Sequence, residues 1–193
     1  MSSGDGRSAR GNLDWTPALE SSDAGASVDA PLALLAPPVA AALRAGHAPS
    51  AEVTEIDPGL ADTAEFCERY EVPLEASANC VVVLGRRGEA RTHAAVMVLA
   101  TDRADVNKRV RKHLDARKIS FADQSEVEEA TGMTSGGITP VGLPESWPIL
   151  VDERVAAAPL VVIGGGTRGA KLLVPGSELA SLPGAEVLDL VVD

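Results

Sequence analysis

The sequence predicts an α+β fold: a mixed, largely antiparallel sheet with helices packed on it, in a single domain. Three observations carry this. Segments with strand period and segments with helical period are interleaved along the chain. Two junctions, residues 84–90 and 163–171, read as hairpins, which a doubly wound parallel sheet does not contain. The hydrophobic fraction is 45% with only 3% aromatic residues, so a core can form and must be built from Val, Leu, Ile and Ala. At 193 residues the chain fits one domain with a tail.

Residues 1–30 are assigned to that tail and residues 31–193 to the domain. The first 28 residues are rich in Ser, Gly, Asp and Ala without a sustained period, a composition that stays mobile. Trp15 and Leu19 are the side chains that could dock it. Pro37-Pro38 starts a helix over Val39 to Arg44 that stops at Gly46. Ala51 to Ile56 alternates as a strand and closes at Asp57-Pro58-Gly59. Asp62 or Thr63 caps the next helix, with Pro73 beyond its end. Asn79 to Leu84 is a Val-rich run typical of a buried strand. Gly85 to Gly88 forms a turn into a second strand, Ala90 to Ala100. Asp102 or Asp105 begins a helix with Val106, Val110 and Leu114 on one stripe. A short strand, Lys118 to Phe121, leads to a helix over Glu126 to Thr131, capped by Asp123 or Ser125 and ended by Gly132. Beyond the loop that follows come a strand (Ile149 to Val151), a short helix capped by Asp152, and two strands (Leu160 to Ile163, Lys171 to Val174) around a glycine turn. A helical turn from Ser177 to Leu182 and a strand from Glu186 to Val192 complete the chain. No internal repeat is present.

Several function classes fall away on composition. The formal charge of −11 opposes non-specific nucleic-acid binding by the whole surface. The segment Arg103 to Lys118 runs the other way, with seven basic residues against Asp105 and Asp115. It is either a solvated helix face or a local phosphate-binding surface. Cys67 and Cys80 form neither a disulfide framework nor a metal cluster, and read as buried thiols. His47, His93 and His113 have no metal-ligand spacing, so no metal or other cofactor is expected. A polar start and the lack of a long apolar run predict a cytoplasmic protein with no membrane partner.

The candidate site is the stretch from Gly132 to Val155. It holds four glycines and three prolines and no regular period. Glycine permits positive φ and close backbone approach, and long loops in compact domains are commonly functional. It is either an ordered loop presenting backbone groups to a ligand or a plain connection. Gly164 to Gly169 resembles a phosphate loop, but a dinucleotide site requires a helix after the glycines, and Lys171 to Val174 reads as a strand. No side-chain nucleophile with a base stands out.

The order of these motifs is similar to that of the YbaK/ProX family of editing domains associated with prolyl-tRNA synthetase. It rests on EVPLEASANCVVVLG, on TDRADVNKRVRKHLDARKISFADQSEVEEATG, on GGITPVGL, and on WPILVDERV followed by VVIGGGTRGAKL. It runs from about Thr63 to Val192. The resemblance implies a curved mixed sheet and a trans-acting deacylase that hydrolyses the ester of tRNA mischarged with a small amino acid. Its implied partners are the tRNA 3′ end and a synthetase. It implies that backbone groups of Gly136, Gly137, Ile138 and Gly142 position the amino acid and the attacking water. Asn79, Thr139, Pro140, Val141, Lys118, Gly164, Gly165 and Gly166 would bind substrate. Asn79 stands where many relatives carry a lysine, and Arg86, Lys118 or Lys171 are the cations that could replace it. A non-catalytic relative that binds an aminoacyl-nucleotide-like ligand or a protein remains the alternative.

Overall fold

The computed structural model describes residues 8–19 and 30–192. The clearest helix boundaries, those of Pro37–Arg44 and Gln124–Thr131, fall where the sequence supplies a start and a glycine stop. Strand β1 (Thr16–Pro17) comes first, and α1 (Pro37–Arg44) begins on its two prolines and ends before Gly46 at φ +89°. Strand β2 (Glu52–Glu55) and α2 (Thr63–Tyr70) follow, with Asp62 at the helix start. Strands β3 (Ala78–Arg87) and β4 (Ala90–Leu99) form a long hairpin.

The basic segment opens with one wide turn, Val106–Val110, in which Val110 N–H donates to Asp105 O five residues back, and continues as α3 (Arg111–His113). The Asp105 side chain caps this start by accepting from Lys108 N–H. Strand β5 (Lys118–Phe121) leads to α4 (Gln124–Thr131). Asp123 caps α4 by accepting from Ser125 and Glu126 N–H, and Gly132 closes it at φ +65°. Strand β6 (Ile149–Asp152), α5 (Glu153–Ala157), β7 (Val161–Gly164), β8 (Ala170–Val174), α6 (Gly176–Leu179) and β9 (Ala185–Leu188) complete the order.

The strands form two sheets, ordered β1-β2-β8-β7 and β5-β3-β4-β6-β9. The first is wholly antiparallel, while in the second β6 runs parallel to both β4 and β9. A parallel bridge between Ser77 and Val162 joins the two. The α+β, largely antiparallel prediction holds, with the strands divided between two sheets. The main apolar cluster runs from α1 to Met97 on β4 and to Ile163 and Leu172 on the β7–β8 pair. Ile163 and Leu172 lie opposite each other in register and are fully buried, each contributing roughly 1.5–3 kcal/mol.

Three local differences have clear causes. The β3–β4 turn is Gly88-Glu89, shorter than Gly85 to Gly88, because Gly85 is paired on one side with Thr92 and on the other with Ile119. The last strand stops at Leu188 because the buried Asp152 carboxylate accepts from Leu190 N–H at 2.9 Å and draws the chain away. Residues 8–19, assigned to the tail, lie against the body: β1 pairs with β2, Arg10 bonds Glu52 at 2.8 Å, and Trp15 and Leu19 pack on buried clusters. The rest of the tail, apart from Ala30, lies outside the described residues.

Candidate functional site

The loop after α4 is held in place by short-range polar bonds and then by backbone contact. Thr131 Oγ1 donates to Val127 O at 2.7 Å and accepts from Met133 N–H at 3.1 Å. Ser135 N–H donates to the Glu128 carboxylate at 2.8 Å, and this bond is the main cause that holds Glu128 below the usual carboxylate range. Thr134 and Gly137, on either side of Ser135, meet the second glycine-rich segment directly. Thr134 N–H donates to Gly166 O at 2.9 Å, and Gly166 N–H donates to Gly137 O at 2.7 Å. A Cβ on Gly137 would lie 2.2 Å from Thr167 O, and one on Gly164 would lie 2.3 Å from Gly137 O. Glycine is required at both positions because backbone meets backbone there. Arg168 fastens the assembly, donating from Nε to Pro58 O at 3.0 Å and from Nη1 to Ser135 O at 3.3 Å.

A cavity of about 290 Å³ opens where this loop meets the start of β3, the start of α2 and the β7–β8 pair. That is at the small end of ligand sites, which span about 300–1,000 Å³. Its walls are Ala61, Asp62 and Thr63, the strand residues Ala78 to Val81, the loop residues Ser135, Gly136 and Ile138, and Gly164 with Lys171. Asn79 Oδ1 accepts from Thr63 Oγ1 at 2.7 Å. The backbone N–H groups of Gly136 and Ile138 meet no acceptor among the described residues.

Lys171 supplies the charge. It is 7% exposed, its Nζ donates to Ala61 O at 2.8 Å and stands 4.9 Å from the centre of the Phe66 ring. Burial lowers its pKa from 10.5 to about 8, against the pull of Cys67 and Asp62 in the other direction, so it remains a cation at neutral pH. Cys80 also faces the cavity, but burial pushes its thiol up to about 12. It stays protonated, and only a thiolate is a competent nucleophile.

The loop therefore divides. Residues 135–138 border the cavity, while Thr139, Pro140 and Val141 are buried and Gly142, at φ +85°, lies against α1, where a Cβ would meet Pro38 O at 2.5 Å. Thr139 Oγ1 is buried without a partner among the described residues. Pro140 and Gly142 border a separate hollow of about 240 Å³ with His47. Gly165 and Gly166 contact the segment before α1, with Ala36 N–H donating to Gly165 O at 3.1 Å. Lys118 lies on the edge strand opposite Arg86, away from the cavity. Of the residues expected at the site, Asn79, Gly136, Ile138 and Gly164 line it, and Gly137 sets the position of Gly136 and Ile138 from behind.

Sequence reasoning left Lys171 as one of three unplaced cations and did not single out Ser135, Thr63 or Asp62. No local pattern marks them; strand pairing brings Lys171 beside Gly164. No histidine lines the cavity. Among the described residues no group of three or more His, Cys, Asp or Glu could hold a metal ion, and no helix is long and apolar enough to cross a membrane. β8 follows Gly169 as a strand, so the glycine turn lacks the helix N-terminus of a dinucleotide site. The cavity thus brings together two loop residues whose N–H groups are unbonded among the described residues, one buried cation, the polar side chains of Asp62, Thr63, Asn79 and Ser135, and small apolar residues.

Comparison with known proteins identifies the family. Residues 57–182 match the model of the aminoacyl-tRNA editing domain. A proline–tRNA ligase of Leuconostoc mesenteroides subsp. mesenteroides is 40% identical over 62 residues, which is 32% of this chain and 11% of the ligase. The match thus spans about a tenth of that relative's length. The crystal structure of a proposed trans-editing enzyme for prolyl tRNA synthetase has a TM-score of 0.70 at 26% identity, covering 82% of this chain and 97% of that one. A second structure, of a hypothetical protein, has a TM-score of 0.69 at 26% identity, covering 80% and 99%. The chain belongs to the aminoacyl-tRNA editing domain family, of the YbaK/ProX type that its motifs resemble.

Proposed function

We propose that this protein hydrolyses, in trans, the ester bond of a tRNA mischarged with a small amino acid. The observation that carries the reading is the meeting, in one small cavity, of the Gly136 and Ile138 N–H groups with the Lys171 cation, in a member of the editing-domain family. An aminoacyl ester is an activated acyl group, so it needs a positioned water and a stabilised oxyanion rather than a side-chain nucleophile. Water attacks the ester carbonyl carbon, and the oxygen that gains negative charge is held by the loop N–H groups. The bond to the ribose oxygen then breaks, that oxygen takes the proton the water has lost, and free amino acid and tRNA leave. Gly137 fixes the geometry from behind, which keeps the donors aligned before the reaction. Lys171 attracts the phosphate and ribose oxygens of the terminal nucleotide, replacing a lysine at the Asn79 position.

Ala61, Ala78 and Ile138 form the apolar part of the wall, and the small amino acid is the substrate class that the family resemblance supports. The tRNA 3′ end is the partner in this reading, with a cytoplasmic location and a synthetase as a second partner following from the same family role. A deacylation time course on Ala-, Cys- and Ser-charged tRNAs tests it. Hydrolysis of at least one, well above the spontaneous rate, is the expected result. A wild type silent on all three that still binds a non-hydrolysable aminoacyl-adenosine analogue would replace the enzyme with a binding module.

A further inference from the structure

A larger depression, about 630 Å³, shares Asn79 and Val81 with the candidate cavity. Arg103 and Asn107, beside the wide helical turn, form one wall, and Ser120 and Phe121 of β5 form the other. On its opposite side Phe121 borders a hollow of about 280 Å³ that reaches Ser135 and Ile138 of the catalytic loop. Phe121 thus stands between two depressions that both lead to the site.

Phe121 is the one exposed side chain among the five aromatic residues of the chain, at 68% exposure. A single exposed apolar residue is ordinary by itself. Here it lies on the outermost strand of the five-stranded sheet, beside a groove whose charged lining residues are Arg103, Asp102 and Asp105. On a chain of net charge −11, the side chains of Arg86, Arg103, Lys108, Lys112, Arg117 and Lys118 make no ion pair or hydrogen bond among the described residues. Arg86 and Lys118 are direct partners on adjacent strands, an unfavourable arrangement of like charges that an anion would relieve. The two carboxylates in the groove are already engaged: Asp105 caps Lys108 N–H at 3.0 Å, and Asp102 lies 3.1 Å from Arg154.

We propose that this groove holds the single-stranded 3′ end of the tRNA on its way into the cavity, with one base stacked on Phe121 and phosphates facing the unpaired cations. An exposed ring beside a basic path is the arrangement by which unpaired nucleic acid is held without sequence readout. The choice of RNA as occupant rests on the deacylase reading, and the binding surface is tested without hydrolysis.

The experiment measures, by fluorescence anisotropy, binding of a labelled, uncharged RNA oligonucleotide ending in CCA, with a blunt RNA duplex of the same length as the comparison. Phe121→Ala is expected to weaken oligonucleotide binding by about tenfold, the scale of one lost base stack. Phe121→Trp restores it, and Lys118→Glu weakens it most at low salt, as loss of a phosphate contact does. Equal binding by wild type and Phe121→Ala overturns the proposal, as does a loss that Phe121→Trp fails to restore. Equal or tighter binding of the duplex also overturns it. Phe121-dependent RNA binding by a wild type that hydrolyses none of the charged tRNAs would leave the groove standing and remove the deacylase.

Discussion

Lys171→Met separates the stability cost of the buried cation from its use. The fall in pKa from 10.5 to about 8 is about 2.5, and at about 1.36 kcal/mol for each burial of the protonated form costs about 3 kcal/mol. Methionine removes that cost while filling similar space. It also deprives Ala61 O of its donor at 2.8 Å, a loss of about 1–2 kcal/mol. The net expectation is a variant more stable than wild type by about 1–2 kcal/mol at pH 7, measured by urea denaturation.

The sign of the pH dependence is fixed by the direction of the shift. The folded state releases its proton at a lower pH than the unfolded chain, so wild-type stability from this group rises between pH 8 and 10.5. The advantage of Lys171→Met should therefore shrink or reverse by pH 10. Deacylation by the variant should fall tenfold or more at pH 7, and wild-type activity should decline as pH passes 8 and the cation is lost. A variant less stable at pH 7, or a stability difference that does not change with pH, would refute the electrostatic account. Full activity in Lys171→Met would refute the assigned role.

Three further outcomes follow from the same geometry. Cys80→Ser should retain deacylation within about threefold, because the thiol is held up at about 12; a loss of a hundredfold would point to covalent catalysis. Asn79→Lys should lower activity, since a second ammonium in the cavity opposes Lys171 and removes the acceptor of the Thr63 hydroxyl; increased turnover would show that Lys171 does not fill the role. Gly137→Ala should abolish activity and lower stability by about 2 kcal/mol or more, because its Cβ would lie 2.2 Å from Thr167 O. An unchanged melting temperature would contradict that contact.

The elements legible in the sequence were those specified by their own residues. Pro37-Pro38 and Gly46 bracket α1, Asp123 and Gly132 bracket α4, and the Val-rich strand with its partner forms the β3–β4 hairpin. Local chemistry decides such boundaries. The division into two sheets was not legible, because period shows that a strand exists and not which strand it pairs with. β6 and β9 read as ordinary short strands, and their parallel pairing is set by the crossovers around them. The central loop was recognisable as special from its glycines, but its division was not. Which glycines face the cavity depends on what lies against each: the Thr167 backbone against Gly137, the Pro38 backbone against Gly142, and the Arg168 guanidinium beside Gly136.

The cation shows why a motif can be incomplete while a site is whole. Along the chain, Asn79 reads as a lost charge, and Lys171 lies in a segment that reads only as a strand after a glycine turn. In space, β8 sets Lys171 between Thr54 and Gly164, and its side chain reaches the same cavity from the other sheet. A buried ammonium that costs about 3 kcal/mol persists in a fold only where its stability tolerates the cost or function requires the charge. The neighbours distinguish these cases: Lys171 has a single carbonyl acceptor among the described residues and no ion pair, although Asp62 lines the same cavity. That carboxylate lies 3.4 Å from Arg168 Nη1, so the Lys171 ammonium is left with one carbonyl and the Phe66 ring. An ammonium so placed at the wall of a cavity can meet an anionic ligand.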